Sequence, residues 1–366
     1  MRPIELKFAS LPIPFRVRFG HASAVRDEAE NIVVAVRDAQ GRVGLGEGCP
    51  RSYVTGETVA SATGFIEKHR ADFLEVGSLD DLQHWMAGRV RDIDTNPSAF
   101  CAVELALLDL FARQAEVPIE SFLGLPPLRD ATASAVYGTG KAWKFYAQAA
   151  LFRLNGMHDS KLKVSGDASK DLRRAACLAR AGKVRLDANN LWQDVSLAGE
   201  ALLALSPHAW AVEEPLTARD WRGLRELNTS TGLAIIADES LVTPDDLGAM
   251  PPGEAFIPNL RVSKLGGLIR SADILHRAMA QGRKIIVGAQ VGETSILARA
   301  GLALVAAAGA GLVGYEGGYG PVLLAYDVTS PRVRIGRHGS VDVTDFARRP
   351  GLGLAPEAVL SAALGL

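Results

Sequence analysis

Three acidic residues near the middle of this 366-residue chain each end a short apolar run. Asp187 closes Val184-Arg185-Leu186-Asp187, Glu213 closes Ala211-Val212-Glu213, and Asp238 closes Ile235-Ile236-Ala237-Asp238. A fourth run, Ser160-Lys161-Leu162-Lys163-Val164, carries lysines instead, and Lys264 follows in Ser263-Lys264-Leu265-Gly266-Gly267. Burying a charge is costly unless it is paired or binds a metal. Three carboxylates held together repel unless they are protonated or neutralised by a cation. An all-oxygen set with no nearby Cys or His suits a hard ion, Mg²⁺ before Zn²⁺. Lysines beside other cations and partly buried have depressed pKa values and can serve as bases. Together these groups suit removal of a proton α to a carboxylate, with a metal steadying the resulting enediolate. The bland alternative for each acid is a cap on the next helix or a partner for a surface lysine.

The spacing indicates which elements hold these residues. Lys163 precedes Asp187 by 24 residues, Asp187 precedes Glu213 by 26, and Glu213 precedes Asp238 by 25. Further steps of 26 reach Lys264, Gln290 and Glu316, and one step of 26 back from Lys163 reaches Tyr137. One strand, one helix and two short loops fill such an interval. Eight units predict an α/β fold, a closed (β/α)8 barrel whose C-terminal strand ends carry the site. An open doubly wound sheet is the competing architecture. In a barrel the second and sixth strands face each other, which puts Lys163 and Lys264 on opposite walls. Lys161 shares a face with Lys163 because strand side chains alternate. Glu316 on the eighth strand is placed to accept a substrate hydroxyl or ammonium or to relay a proton, unless it is a structural acid in a glycine-rich turn. Gln290 is singled out by spacing alone.

Composition narrows the class. Hydrophobic residues make up 48% and charged residues 22%, as in globular proteins, and the net charge of −1 offers no nucleic-acid footprint. No apolar run reaches membrane-spanning length, and Met1-Arg2-Pro3-Ile4-Glu5-Leu6 does not read as a signal peptide. Cys49, Cys101 and Cys177 are odd in number and far apart, which favours reduced thiols and a cytoplasmic setting. CxxC, GxGxxG, GKS and GxSxG signatures are all missing.

Residues 4–19 and 31–47 alternate apolar and polar residues, as antiparallel strands do. Helical patterns cover 58–74, 79–92 and, most strongly, Ser98 to Glu116. Residues 1–125 thus read as an α+β domain and 131–325 as the barrel, with a helix near 167–181 that Gly182 stops. The tail, 326–366, falls outside the period and is expected to pack back on the first domain. The stretches Phe19–Ala24, around His21, and Arg51–Glu57, around Tyr53, are candidate lids.

These motifs resemble the enolase superfamily, specifically its muconate-lactonizing-enzyme-like subgroup within the mandelate racemase/muconate lactonizing enzyme family. The resemblance spans nearly the whole chain, from Glu28-Ala29-Glu30-Asn31 through Leu186-Asp187-Ala188-Asn189 to Gly351-Leu352-Gly353-Leu354. It implies a modified (β/α)7β barrel under an N-terminal α+β cap completed by the tail. It implies Mg²⁺, with Mn²⁺ as a substitute, on Asp187, Glu213 and Asp238. Lys163 and Lys264 would be the opposed acid/base pair, Lys161 would hold the substrate carboxylate, and Asn189, Glu214 and Glu239 would support the ligands. The implied activity is isomerisation, by cycloisomerisation or racemisation/epimerisation, of a small-molecule carboxylate in a homo-oligomer without nucleic-acid or membrane partners. A dehydration like that of o-succinylbenzoate synthase would use the same residues, and a non-catalytic binding barrel is the remaining alternative. The segment Tyr315-Glu316-Gly317-Gly318-Tyr319-Gly320-Pro321 lacks the Asp-x-Asp of dipeptide epimerases and is closer to the cycloisomerase pattern.

Overall fold

A computed structural model describes residues 1–21 and 24–366, with side chains omitted over 17–26. Ala22 and Ser23 of the expected lid around His21 lie outside the described residues. Three antiparallel strands open the chain: β1 (Glu5–His21), β2 (Ala24–Arg37) and β3 (Val43–Gly48). Helices α1 (Val59–Glu75), α2 (Leu79–Ala87) and α3 (Pro97–Gln114) follow. Glycines at every second position of β3 let α3 lie directly on the sheet. A Cβ at Gly44, Gly46 or Gly48 would sit 2.1, 1.9 or 2.0 Å from the carbonyl oxygens of Ala106, Ala102 and Ser98.

Eight parallel strands then run in sequential order: β4 (Ala135–Tyr137), β5 (Asp159–Lys163), β6 (Lys183–Asp187), β7 (Ala211–Glu213), β8 (Ala234–Ala237), β9 (Phe256–Leu260), β10 (Ile285–Val287) and β11 (Leu312–Tyr315). The amide of Ser134, just ahead of β4, donates to the Tyr315 carbonyl of β11 at 2.7 Å and closes the ring. The first seven strands are each followed by a helix: α4 (Ala142–Leu154), α5 (Ala168–Ala179), α6 (Val195–Leu205), α7 (Trp221–Thr231), α8 (Pro244–Ala249), α9 (Leu268–Ala280) and α10 (Ser295–Ala308). Only a single turn, Gly320–Leu323, follows the eighth, so the barrel is (β/α)7β.

The two-residue alternation of strands sorts the barrel residues. Val184, Leu186, Val212 and Ile235 join the large core under the helices. Ala211, Ile236, Ile257 and Ile286, from four successive strands, form a separate apolar layer inside the barrel. Two residues beyond the first three stand Glu213, Asp238 and Asn259, so this layer is a floor for the polar groups above it. Gly182 does not stop α5 by a left-handed turn; it is needed because a Cβ there would lie 1.9 Å from the His158 carbonyl oxygen. The tail pairs Ser340–Val341 with Ala131–Thr132 and also touches the first strands and α3, as where Lys7 Nζ donates to Gly365 O at 2.8 Å and Arg113 Nη2 to Leu354 O at 2.6 Å.

Buried carboxylates dock the first 125 residues on the barrel. Glu47 of β3 accepts from the Thr294 and Leu297 amides at 3.0 and 3.1 Å, at the start of α10. Glu104 of α3 accepts from Leu268 and Ile269 at 2.7 and 2.8 Å, at the start of α9. Both satisfy free N–H groups at positive helix ends. Burial raises both carboxyls to about 7, despite these hydrogen bonds. Between the ordinary value of 4.5 and about 7 the folded state therefore holds more protons than the unfolded chain. This contribution to stability is complete below that window and is lost as pH rises through it. Thermal denaturation should give a midpoint several degrees higher at pH 6 than at pH 8, with a shallower slope in Glu104→Gln. A midpoint that rises over this range would show that the caps stay ionised.

Candidate active site

The C-terminal strand ends gather the predicted residues. Lys161 of β5 is buried, and its Nζ lies 3.2 Å from Asp187, 2.9 Å from Glu213 and 3.0 Å from Glu316. Burial opposes its charge, but these three acids outweigh burial and hold it protonated. Lys163, two residues on, lies 2.7 Å from Asn189 Oδ1 and 3.7 Å from Asp187 Oδ2. Burial would raise Asp187, yet Lys161 and Lys163 bring it below the usual carboxylate value. Asp238 is likewise held low against burial by Arg261 and Lys264. Lys264 is fully buried and spends its N–H groups on Asp238 O at 2.6 Å, Asp238 Oδ1 at 2.7 Å and Asn259 O at 3.0 Å.

Asn189 and Glu214, the residues expected to support the acids, both have left-handed backbones, with φ of 45° and 41°. Such conformations cost on the order of 1 kcal/mol or more and persist where the surroundings demand them. Glu214 accepts from the Asp238 and Ser240 amides, each at 2.7 Å, and from Ser240 Oγ at 2.8 Å, tying the turn after β7 to that after β8. Burial raises it to about 7. Glu239 is raised to about 8, first by burial and then by Asp238 and Glu214.

These groups border a cavity of about 550 Å³. Lys161, Lys163, Asp187, Asn189, Glu239 and Glu316 line it, with Val136, Phe145, Phe152, Tyr319 and Leu323 supplying an apolar wall. Glu213, Asp238 and Lys264 stand behind that surface. Tyr53, from the second expected lid, also lines the cavity. The loop bearing Tyr53 is anchored at both ends: Arg51 is buried and donates to Glu30 O at 2.9 Å and Asn31 Oδ1 at 2.8 Å, and Glu57 accepts from Ser98 N at 3.0 Å at the start of α3.

Among the described residues no three His, Cys, Asp or Glu side chains converge as a formed metal cage. Asp187 and Glu213 share Lys161, while Asp238 faces Arg261 and Lys264. The donor set nonetheless fits a hard cation. The three acids present only oxygens, and Glu213 Oε2 is buried without a partner among the described residues. Glu213 is pushed well above the ordinary carboxylate value, first by burial, with Asp187, Glu316 and Asp238 adding to it against Lys161. A site with excess negative charge and an unused buried oxygen suits a divalent ion.

Three functional positions escaped the sequence reading. Arg185, fully buried on β6, donates to Glu316 Oε1 at 2.9 Å and to Asp159 Oδ2 at 2.8 Å, and with Lys161 it holds Glu316 below its usual value against burial. It lies two residues before Asp187, so strand alternation could have placed it inside. Asn259 donates to Glu213 Oε1 at 3.1 Å and was detectable by the same rule from Ile257. Arg261, after β9, contacts Asp238 and lines the cavity. It follows the strand and had no such signal.

Comparison with known proteins gives the family and the fold. The N-terminal domain model of mandelate racemase/muconate lactonizing enzymes matches residues 4–124, and the enolase C-terminal domain-like model matches 144–359. The chain is similar to an L-Lys-D/L-Arg epimerase of Methylococcus capsulatus, 28% identical over 96% of this chain and 98% of that one. It is also similar to muconate cycloisomerase 1 of Rhodococcus opacus, 28% identical over 69% and 70% of the two chains. The crystal structure of the Methylococcus capsulatus dipeptide epimerase with Mg and L-Arg-D-Lys superimposes with a TM-score of 0.83 at 26% identity, covering 97% of this chain and all of that one. With the two domain models together matching residues 4–124 and 144–359, the chain belongs to the mandelate racemase/muconate lactonizing enzyme family of the enolase superfamily.

Proposed function

We propose that this protein is a Mg²⁺-dependent isomerase that removes and returns the proton α to a substrate carboxylate, a racemase or epimerase. The observation that carries the reading is a lysine, Lys163, lining a closed-end cavity beside Lys161 and three buried acids. Asp187, Glu213 and Asp238 would hold the ion, Mn²⁺ serving in its place. When bound, it would supply a Lewis acid for the charge that develops on the carboxylate as the α-proton leaves. Lys161 would meet that carboxylate, and Lys163 would take or return the proton on its side. Lys264 would do so from the opposite wall, exchanging a bond to Asp238 or Asn259 for one to substrate. Asn189, Glu214 and Glu239 would keep the acids and Lys163 in place. We further take 1–125 with the tail 326–366 as a cap over the barrel 131–325, and the protein as a cytoplasmic homo-oligomer. The three unpaired cysteines support a reducing compartment, and no described helix is long and apolar enough to cross a membrane.

Cycloisomerisation is the second reading. Glu316 favours it, because its two oxygens are already bonded to cations, Lys161 and Arg185, which balance its charge and weaken its attraction for a free substrate ammonium. Incubation in deuterated water with Mg²⁺ and N-acyl amino acids, dipeptides, muconolactone-like acids and hydroxy acids tests the proposal by NMR. Exchange of the α-proton for deuterium without loss of water is expected, abolished by chelation and in Asp238→Asn. Loss of water would make the protein a lyase. Full exchange in Asp238→Asn would remove the ion from the mechanism, and binding without exchange would leave a ligand-binding barrel.

A further inference from the structure

Helix α4 is apolar on both sides. Its inner side gives Phe145, the helix's only buried residue, and the half-buried Phe152 to the cavity wall. On the outer side Trp143 is 66% exposed, Tyr146 44%, Leu151 56% and Leu154 83%. Among the described residues no other helix exposes more than two large apolar side chains. Trp143, Ala147, Ala150 and Leu154 are all exposed and fall within about 60° of one another around the helix axis, in a stripe about 16 Å long. Tyr146 and Leu151 border it. At roughly 150–250 Å² for a large side chain, the four exposures leave on the order of 450 Å² of apolar surface in water. Contiguous patches of this kind mark interaction sites.

We propose that the outer face of α4 binds the same face of a second copy of this chain, antiparallel about a two-fold axis beside Ala147 and Ala150. This rests on the homo-oligomer taken above and gives it a surface. The stripe is self-complementary: its two large members stand at the ends and its two small ones between them. An antiparallel copy therefore sets Trp143 of each chain against Leu154 of the other, while the alanines let the helices approach closely. The four large side chains contribute about 900 Å² from both copies. Ala142 and the stems of Lys144 and Arg153 carry the total past the about 1,000 Å² that a specific interface needs. Lys144 and Arg153 are nine residues apart, hence on opposite edges of the stripe, and the antiparallel pair does not bring them together. These bases and the apolar stripe would also suit an anionic membrane, but a lipid surface has no use for small residues at the centre.

Size-exclusion chromatography with light scattering over a range of protein concentrations tests the pairing. The wild type should elute as a dimer or a larger even-numbered assembly. Ala150→Arg places a charge from each copy beside the two-fold axis, at an exposed position where arginine is nearly as good a helix former as alanine, and should halve the mass. Trp143→Ala should weaken self-association on the order of 100-fold, because each dimer loses two buried tryptophans. An assembly of unchanged mass in both variants would overturn this face and keep the homo-oligomer. A wild type that is monomeric throughout would overturn both. Co-sedimentation with phosphatidylglycerol vesicles separates the membrane reading, because Ala150→Arg adds positive charge. Vesicle binding by a monomeric wild type that is strengthened in Ala150→Arg would assign the face to lipid and overturn the pairing.

Discussion

Replacing Lys163 with alanine should slow racemisation about 10³-fold, within the range that one general base contributes. Lys163 is the lysine of the proposed pair that lines the cavity, and its bonds to Asn189 and Asp187 fix its position without burying it behind them. Its removal should spare the fold, because Asp187 keeps Lys161 at 3.2 Å. The loss should also be one-sided. If Lys264 serves the opposite face, the epimer whose α-proton points toward Lys264 can still lose and regain it with retention. NMR should then show exchange surviving for one epimer while polarimetry shows almost no racemisation. Equal loss of exchange for both epimers would mean that Lys264, held by Asp238 and Asn259, takes no proton. An unchanged rate would remove Lys163 from the chemistry.

The barrel was legible because strand ends recur at a fixed interval and buried strands that end in charge are rare. Positions 163, 187, 213, 238 and 316 end or immediately follow their strands, as the spacing requires. Lys264 and Gln290 do not: they stand four and three residues past β9 and β10. Their spacing matched only because loop length offset strand length. What stayed hidden was the pairing. The sequence presents Lys161 as a substrate-binding residue, whereas it also joins Asp187, Glu213 and Glu316 across strands that are neighbours only in the closed barrel. Arg185 went unnoticed for a related reason. An arginine inside an apolar run resembles a surface residue until its partners Asp159 and Glu316 are brought round from β5 and the end of β11. The roles of Glu47 and Glu104 as caps on α10 and α9 join distant segments and have no local signature.

The largest effect on stability is expected from Lys161→Met, which preserves most of the side chain's volume and removes its charge. Three acids would lose a shared cation in a site from which water is largely excluded. Breaking a buried ion pair by removing one partner costs roughly 3–5 kcal/mol, because the remaining charge is left uncompensated. For a chain of this size that corresponds to a fall of roughly 4–7 °C in the metal-free melting midpoint. Two conditions should reverse the fall if its cause is unbalanced negative charge. Acidification should help, because the acids can then take up protons. Mg²⁺ should help more in the variant than in the wild type, because its charge would replace that of the missing ammonium. A midpoint that falls but responds to neither would assign the loss to packing around the methionine. A midpoint that does not fall would mean that Arg185 and Arg261 alone balance these acids.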